Sequence, residues 1–562
     1  MPLTLTIDGT PTPAPLGATI FNCAERASIH IPTSCLKNGK CKECVVEIAE
    51  GSSYLSEPTP FERHLTGNFR LSCQAAIASS EGRIQCHTMR RGHMRIERHA
   101  LGLPGSGRPM ELDPAVTRQA GRILIDGQEI DRSTGPIHGI AMDLGTTTVV
   151  LRLLDLETGE LIADTSFENP QRFAGSDVMA RIQYDTAHPG KLLRRTLAGY
   201  LTRAIQEFPV APASIYEMVV VGNSTMRDLF FRQSVYSIGQ SPYRSITELE
   251  MAEGKRPSTA LTETGRRCLL PIHPKARVYG APIISGHVGA DAAAAMLAID
   301  LAHEDRIVAL MDIGTNTELI LGNRHRILAA SCPAGPAFEG GAIACGMPAL
   351  NGAIEDVRLS EWGGPGYPPP SWVRLPSSSF EFQLTVIGGG APQGICGSGL
   401  VALLSELLRT GRMNERGRFE DDIHRIDLAP GIYFLESDVN ELAQAKGANI
   451  SGLRVVFANY GIEFDQAAVF YLAGGFGRHL DSSAAARIGL IPRIPEDRIV
   501  QIGNAAIEGA TIALLSQSKR RELERLVRTV EHCRLETHPQ FFDFFVDGCQ
   551  FHPLESTSEA PV

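Results

Sequence analysis

The stretch CLKNGKCKEC places Cys35, Cys41 and Cys44 in a C-x5-C-x2-C pattern, and Cys73 follows in RLSCQA. Four thiols can hold a zinc ion, an iron–sulfur cluster or two disulfides. Four-cysteine zinc sites usually use two C-x2-C pairs. Here there is one, and Cys35 stands off by five residues. A loop that gives three thiolates, with a distant fourth, is the plant-type [2Fe–2S] arrangement, C-x4-C-x2-C. This loop is one residue longer. Its small and polar residues Asn38, Gly39 and Lys40 let it curl, so that backbone N–H groups point at the sulfurs. The spacing therefore favours [2Fe–2S] over zinc at Cys35, Cys41, Cys44 and Cys73. Cys23, inside a helical stretch, and Cys86, on a strand, read as buried structural thiols.

A second chemistry sits further along. AMDLGTTTVVL (141–151) is echoed by LMDIGTNTELI (310–320), and both share M-D-[LI]-G-T-x-T. A glycine at a strand end lets backbone approach a phosphate, while Thr hydroxyls and N–H groups donate to its oxygens. An Asp there holds Mg²⁺ through water. The two copies supply Asp143, Gly145, Thr146 and Thr147, then Asp312, Gly314, Thr315 and Asn316. Glu318, two strand positions past Asn316, reaches the same cleft or lies on the strand surface. VFYLAGGFGRHLD runs an apolar strand into Gly474, Gly475 and Gly477, which suits a flat nucleotide lying against backbone.

The elements that must position these residues differ between the two ends. TLTIDGTPTP, VVEIAEG and EGRIQCH read as strands of a small β-rich domain over 1–88, with a helix before Cys35. Residues 89–137, basic and then rich in Gly and Pro, read as a linker. From 138 short apolar strands alternate with helical stretches such as DAAAAMLAIDLA and GLVALLSELLRTG, an α/β pattern. The internal repeat predicts two similar lobes, 138–305 and 306–555, with a cleft between them. EWGGPGYPPPSWVRLPSSS (361–379) reads as a long loop, and STSEAPV as a frayed tail.

The chain has 562 residues, 43% hydrophobic and 21% charged, with a formal net charge of −10. An acidic balance argues against nucleic acid as a partner, because phosphate binding wants a basic face. No signal peptide and no apolar run of membrane-spanning length is present, so neither membrane nor export is expected, and the cytoplasm is. Twelve cysteines in a reducing compartment read as metal ligands and buried singles.

The cysteine loop, with GATIFNCAERASIHIP before it and LSCQA at the fourth ligand, resembles the adrenodoxin-like β-grasp ferredoxins, an α+β fold. The two repeats and the glycine-rich element, in this order, resemble the phosphate-1, phosphate-2 and adenosine motifs of the superfamily of actin, sugar kinases and heat-shock ATPases. That implies a two-lobed α/β, ribonuclease-H-like ATPase. No GxxxxGK[ST] occurs, so this is not a P-loop protein. The pairing of the two, with VVVGNSTMRDLFF, SGHVGADAAAAM, CPAGPAFEGGAI, GICGSGLV, DVNELAQAKGA and IGNAAIEGA, resembles the reductive activators of corrinoid proteins.

That resemblance implies a multidomain enzyme that couples ATP hydrolysis to the passage of one electron from a [2Fe–2S] cluster, reducing Co(II) to Co(I). Its partners would be a corrinoid-binding methyl-transfer protein and a low-potential electron donor, and a homodimer fits the family. Asp143 and Asp312, with Glu318, would organise Mg²⁺ and the attacking water. Thr146, Thr147, Thr315 and Asn316 would hold phosphates, and Gly474, Gly475 and Gly477 would flank the adenosine. Cys533 and Cys549 stand alone, which argues against the activators with C-terminal [4Fe–4S] clusters.

Two other readings compete. One is a redox-sensing kinase acting on a small alcohol or carboxylate; the other is a nucleotide-gated module that clamps a partner as a chaperone does. The histidines form no ligand pair of note. The run Arg90, Arg91, Arg95 and Arg98 reads as a solvated face or a dock for an acidic partner. QFFDFFVDGCQF reads as core packing.

Overall fold

TLTI alternates apolar and polar, and it forms strand β1 (Thr4–Ile7). Asp8 and Gly9 follow with φ of 49° and 78°. That is the double positive-φ turn an Asp-Gly pair supplies to a tight hairpin, and it returns the chain as β2 (Thr10–Thr12). Thr19 caps the helix Ile20–Arg26 by accepting from the Asn22 N–H. Strands β3 (Val45–Glu50), β4 (Phe69–Leu71) and β5 (Arg83–Thr88) complete a mixed sheet in the order β2-β1-β5-β3-β4. Ile20, Phe21, Cys23 and Ala24 pack the helix into the same core as Leu5 and Ile7. This is the expected β-grasp ferredoxin domain.

This computed structural model describes residues 2–89, 111–360, 381–420, 422–474 and 480–555. The basic run from Arg90, the loop 361–379 and the tail from 556 lie outside the described residues. Two compact units are present: the described parts of 1–93, 109–298 and 506–528, and those of 299–505 and 529–562.

The segment read as a linker differs from that reading. Its described part carries a three-stranded antiparallel sheet, β6 (Val116–Gln119), β7 (Arg122–Ile125) and β8 (Gln128–Arg132). Ala120-Gly121 and Asp126-Gly127 are two further positive-φ turns, so the local hairpin signals outweigh the linker-like composition.

In the first unit a six-stranded sheet has the order β11-β10-β9-β12-β14-β13. Its strands are β9 (His138–Leu144), β10 (Thr148–Asp155), β11 (Leu161–Glu168), β12 (Ile215–Gly222), β13 (Leu261–Thr264) and β14 (Arg277–Gly280). β12 is buried along its whole length, as a strand covered on both faces must be. The ferredoxin domain is not separate from this lobe. Ile48 and Met89 share one apolar core with Leu193, Tyr200 and Leu201 of helix Leu192–Gln206.

The first unit also takes back 506–528, which the two-lobe reading assigned to the second lobe. Helix Gln517–Leu526 sends Arg520 to Glu217 of β12 at 2.9 Å. Glu508 pairs with Arg152 at 2.6 Å.

The second unit repeats the plan. β15 (Val308–Asp312), β16 (Thr317–Asn323) and β17 (Arg326–Cys332) form an antiparallel run. Two small sheets follow, built from β18 (Ala353–Ser360), β19 (Glu381–Val386) and β20 (Gly394–Ile395), and from β21 (Arg425–Ala429) and β22 (Ile432–Leu435). β23 (Val469–Ala473), β24 (Ile499–Gly503) and β25 (Val530–His532) then complete the main sheet, β24-β23-β15-β16-β17-β25. Among the described residues no helix is long and apolar enough to cross a membrane.

His64 gives the ferredoxin domain a pH limit. Burial, with the Lys42 charge behind it, pushes the imidazole down to about 4 from 6.5. A depressed His contributes stability that is full above pH 6.5 and is lost as pH falls through 4. The loss is up to about 3 kcal/mol. Urea unfolding of the full chain between pH 7 and pH 4 is expected to show it, and His64→Gln is expected to flatten that slope. An unchanged slope in the variant would clear His64 of the effect.

Candidate functional site

The cysteine loop is wound so that its amides turn inward. Leu36, Lys37 and Lys42 have φ of 52°, 66° and 64°, and Gly39 of 80°. Successive N–H groups in such a conformation make a concavity for negative charge. A Cβ on Gly39 would come 3.0 Å from the Phe61 ring and 3.1 Å from Gln74, so the loop tip admits only glycine comfortably. Cys41, Cys44 and Cys73 are buried and Cys35 is half-buried.

The four sulfurs form two pairs, Cys35 with Cys41 and Cys44 with Cys73. Burial opposes ionisation of Cys35, but the N–H groups of Cys41 and Asn38 outweigh it and bring the thiol down to about 7. Cys73 falls to about 6, first through its hydrogen bond with Cys44, helped by Gln74 and the Gly39 N–H. Gln74 Nε2 lies 3.3 Å from Cys73 Sγ. The bond with Cys73, and then burial, raise Cys44 in exchange. Each pair thus has one thiol that ionises near neutrality, which metal binding requires.

Among the described residues no three of these sulfurs lie within 4.8 Å of one another. A single tetrahedral ion with bonds of about 2.3 Å needs all four that close. Two thiol pairs joined by one loop fit a binuclear cluster. Behind the loop, Arg195 Nη2 donates to the Cys41 carbonyl at 2.9 Å, and its Nε lies 3.4 Å from Glu43.

The first repeat sits at the end of β9. Asp143 lies between Val150 of β10 and Val221 of β12. Gly145 donates to the Thr148 carbonyl at 2.9 Å, and a Cβ on it would come 2.8 Å from that oxygen. Asn223 Nδ2 donates to the Thr146 hydroxyl at 2.8 Å. Asn223 also caps helix Ser224–Phe230 by accepting from the Met226 N–H. Asn169 donates its backbone N–H to the Thr147 carbonyl at 2.6 Å and its side-chain amide to the Gly145 carbonyl at 2.8 Å.

Asp291 opens helix Ala290–Ala298 beside these groups. A Cβ on Gly289 would lie 2.6 Å from its Oδ1 and 2.5 Å from the Asn223 Cα. Burial raises the Asp291 carboxyl to about 6. Sequence reasoning passed over Asn169, Asn223 and Asp291 as site residues. For the last two the signal was available in the blocks VVVGNSTMRDLFF and SGHVGADAAAAM.

The second repeat has its own neighbours. Asp312 ends β15, opposite Glu318 on β16 and Ala473 on β23. Glu318 is buried and accepts from Ser331 Oγ at 3.3 Å, so it stands next to Asp312 rather than on the outer surface. The Thr315 hydroxyl donates to Glu339, a partner that sequence reasoning missed inside CPAGPAFEGGAI. The Gly335 N–H donates to the Thr315 carbonyl at 2.8 Å. A Cβ on Gly314 would come 3.3 Å from the Asn316 carbonyl, and Asn316 itself is half-buried. Gly474 has φ of 107°, and a Cβ there would meet the Ile313 carbonyl at 2.2 Å and Asp312 Oδ1 at 3.1 Å. Gly475 and Gly477 lie outside the described residues.

Comparison with known proteins agrees with this layout. Residues 5–78 match a 2Fe-2S iron-sulfur cluster binding domain, 138–304 the RACo middle region, and 306–560 the C-terminal domain of RACo, the ASKHA domain. The corrinoid activation enzyme RamQ of Eubacterium limosum is 31% identical over 464 residues, spanning 77% of this chain and 73% of that protein. The chain belongs to the family of corrinoid activation enzymes.

A [Co(II) methylated amine-specific corrinoid protein] reductase of Methanosarcina barkeri is 26% identical over 428 residues, covering 73% of this chain and 76% of that one. A solved reductive activator for a corrinoid, iron-sulfur protein covers 98% of each chain, with 25% identity and a TM-score of 0.70. This family membership accounts for both halves of the chain, a [2Fe–2S] domain and a nucleotide-binding actin-like domain. It sets aside the kinase and chaperone readings.

Two variants test separately whether each D-[LI]-G-T turn takes part in nucleotide binding. Asn223→Ala removes one neutral hydrogen bond to Thr146, a loss of about 1 kcal/mol. Calorimetry is expected to show nucleotide affinity falling roughly five- to tenfold, with the cluster spectrum intact. Gly474→Ala drives a methyl into the Ile313 carbonyl and is expected to cost far more, because the strand end carrying Asp312 must move. Equal affinities in the two variants would contradict this ranking.

Proposed function

We propose that this chain is an ATP-dependent reductive activator that returns the cobalt of a partner corrinoid methyl-transfer protein from Co(II) to Co(I). The carrying observation is the coexistence in one chain of a thiol site built for two irons and the two D-[LI]-G-T turns of an actin-like ATPase. When bound, the cluster supplies one electron at low potential, near about −400 mV for plant-type centres.

Cys35, Cys41, Cys44 and Cys73 hold it, and the inward amides of Asn38, Gly39 and Cys41 stabilise negative charge on the sulfurs. Asp143 and Asp312 organise Mg²⁺ and the attacking water, with Glu318 beside Asp312. Thr146, Thr147, Thr315 and Asn316 hold phosphates. Gly474, Gly475 and Gly477 flank the adenosine. Asn223 keeps the Thr146 hydroxyl oriented, and Glu339 does the same for Thr315. A separate low-potential donor recharges the site. The work is placed in the reducing cytoplasm, where the eight cysteines outside the cluster stay as thiols.

The test is anaerobic. Reduced protein is mixed with a Co(II) corrinoid methyl-transfer protein, and the Co(I) absorbance is followed with and without MgATP. Co(I) is expected only with MgATP. Cys41→Ser is expected to abolish it, and Asp312→Ala to stop ATP hydrolysis while the cluster spectrum stays. ATP consumption by a cluster-reduced protein with no Co(I) from any corrinoid partner would overturn the reading. So would full turnover by a cluster-free Cys41→Ser protein.

A further inference from the structure

Residues 168–172 touch two places at once. At one end Asn169 holds the first phosphate turn from behind, donating to the carbonyls of Thr147 and Gly145. Its side-chain oxygen accepts from the Gln171 N–H at 3.0 Å and starts the short turn Pro170–Ala174. Three residues on, Arg172 Nη1 donates to Glu168 at 2.6 Å, and Nη2 donates to Glu47 at 2.7 Å. The guanidinium also lies over the Phe69 ring, 5.7 Å from its centre.

Glu47 and Phe69 belong to the ferredoxin domain and face each other across β3 and β4. Glu47 follows Cys44 by three residues, and Phe69 precedes Cys73 by four. The other oxygen of Glu47 accepts from Asn68 Nδ2 at 2.9 Å. One guanidinium therefore grips the strand that leaves Cys44 and the strand that leads to Cys73, and those two cysteines form one of the thiol pairs. The side chains of Arg172, Glu47 and Glu168 are 22%, 12% and 14% exposed. Solvent screens such a triad only in part.

We propose that Arg172 is a positioning residue that makes the seat of the iron–sulfur domain depend on what occupies the first phosphate turn. This rests on the assignment of the two sites made above. A phosphate that engages the Thr146 N–H turns the peptide that carries the Gly145 carbonyl, and that carbonyl is one of the two acceptors that hold Asn169. The displacement passes along the five-residue segment to Arg172, and from there to both strands that frame Cys44 and Cys73. Arg195, on the neighbouring helix, fixes the other thiol pair through the Cys41 carbonyl, so movement at Arg172 changes one pair against the other.

The test uses full-length protein with its cluster reduced and no corrinoid partner. A non-hydrolysable ATP analogue with Mg²⁺ is added, its binding is read by calorimetry, and the cluster is read by electron paramagnetic resonance. In the natural chain the signal is expected to change on saturation. Arg172→Gln is expected to keep its cluster and to bind the analogue within about threefold of the natural chain, but to lose the signal change. Arg172→Lys is expected to restore part of it, because an ammonium lacks the planar fork that serves two carboxylates. Glu47→Gln offers the same test from the ferredoxin side should the Arg172 variants fold poorly.

A natural chain that binds the analogue with no change in its signal would overturn the proposal and leave the assigned function standing. Variants that keep the full change would overturn it too. A natural chain that binds no nucleotide would overturn the functional reading and this inference with it.

Discussion

A carboxylate with no access to water organises the first unit. Glu217 lies in the middle of β12 with its side chain fully buried. Its Oε1 accepts from Arg277 Nε of β14 at 2.7 Å and from Arg520 Nη1 at 2.9 Å. A buried charge left unpaired costs about 3–5 kcal/mol, so the fold cannot lose both arginines. Arg520 comes from a helix more than 200 positions beyond the lobe it completes. Glu217 thus ties back a segment that the chain supplies only after five of the six strands of the second sheet, before β25. Gly509 allows that return to be close, because a Cβ there would stand 2.0 Å from the Ala294 carbonyl. β12 leads directly into Asn223, and Asn223 holds Thr146. The first D-[LI]-G-T turn therefore rests on a strand whose position an ion pair fixes.

The repeated motif marks a repeated mechanical plan. In each unit the D-[LI]-G-T turn links the first two strands of an antiparallel run, and a parallel strand flanks the Asp: β12 beside β9, β23 beside β15. Glycine ends one flanking strand, Gly222 of β12, and follows the other, Gly474 after β23, where backbone crosses backbone. Gly222 would place a Cβ 2.3 Å from the Leu144 carbonyl, and Gly474 would place one 2.2 Å from the Ile313 carbonyl. These are packing requirements as much as ligand requirements. A side chain at either position pushes the Asp-bearing strand end away before any nucleotide is considered.

The local parts of this design were legible in the sequence. The cysteine loop, the two turns and the strand before Gly474 each carry their geometry within about ten residues, and each lies in the expected element. What was not legible is contact across long separations. Asn169 reads as an ordinary residue before proline, yet it supports a turn more than twenty positions earlier. Arg172 and Arg195 look like solvated charges until helix 192–206 brings the ferredoxin strands against the lobe. The stretch 111–137 was misjudged for the opposite reason. Gly, Pro and charge dominate its neighbourhood, but its two X-Gly turns act locally and fold it into a sheet.

Energetics limit how much one contact can do for the reaction. A nucleotide moves an equilibrium only by the difference in its affinity for the two states. A partly exposed arginine shared by two carboxylates contributes on the order of 1–2 kcal/mol. For a one-electron couple a tenfold change in equilibrium corresponds to about 59 mV, and 1.4 kcal/mol is the same tenfold. The Arg172 triad can therefore shift the balance at the cluster by tens of millivolts, enough to bias which way the ferredoxin domain is held. It is too little to lift an electron across a large gap in potential. On the proposed function, the greater part of the work falls to the differential binding of ATP and its products to two states of the complex.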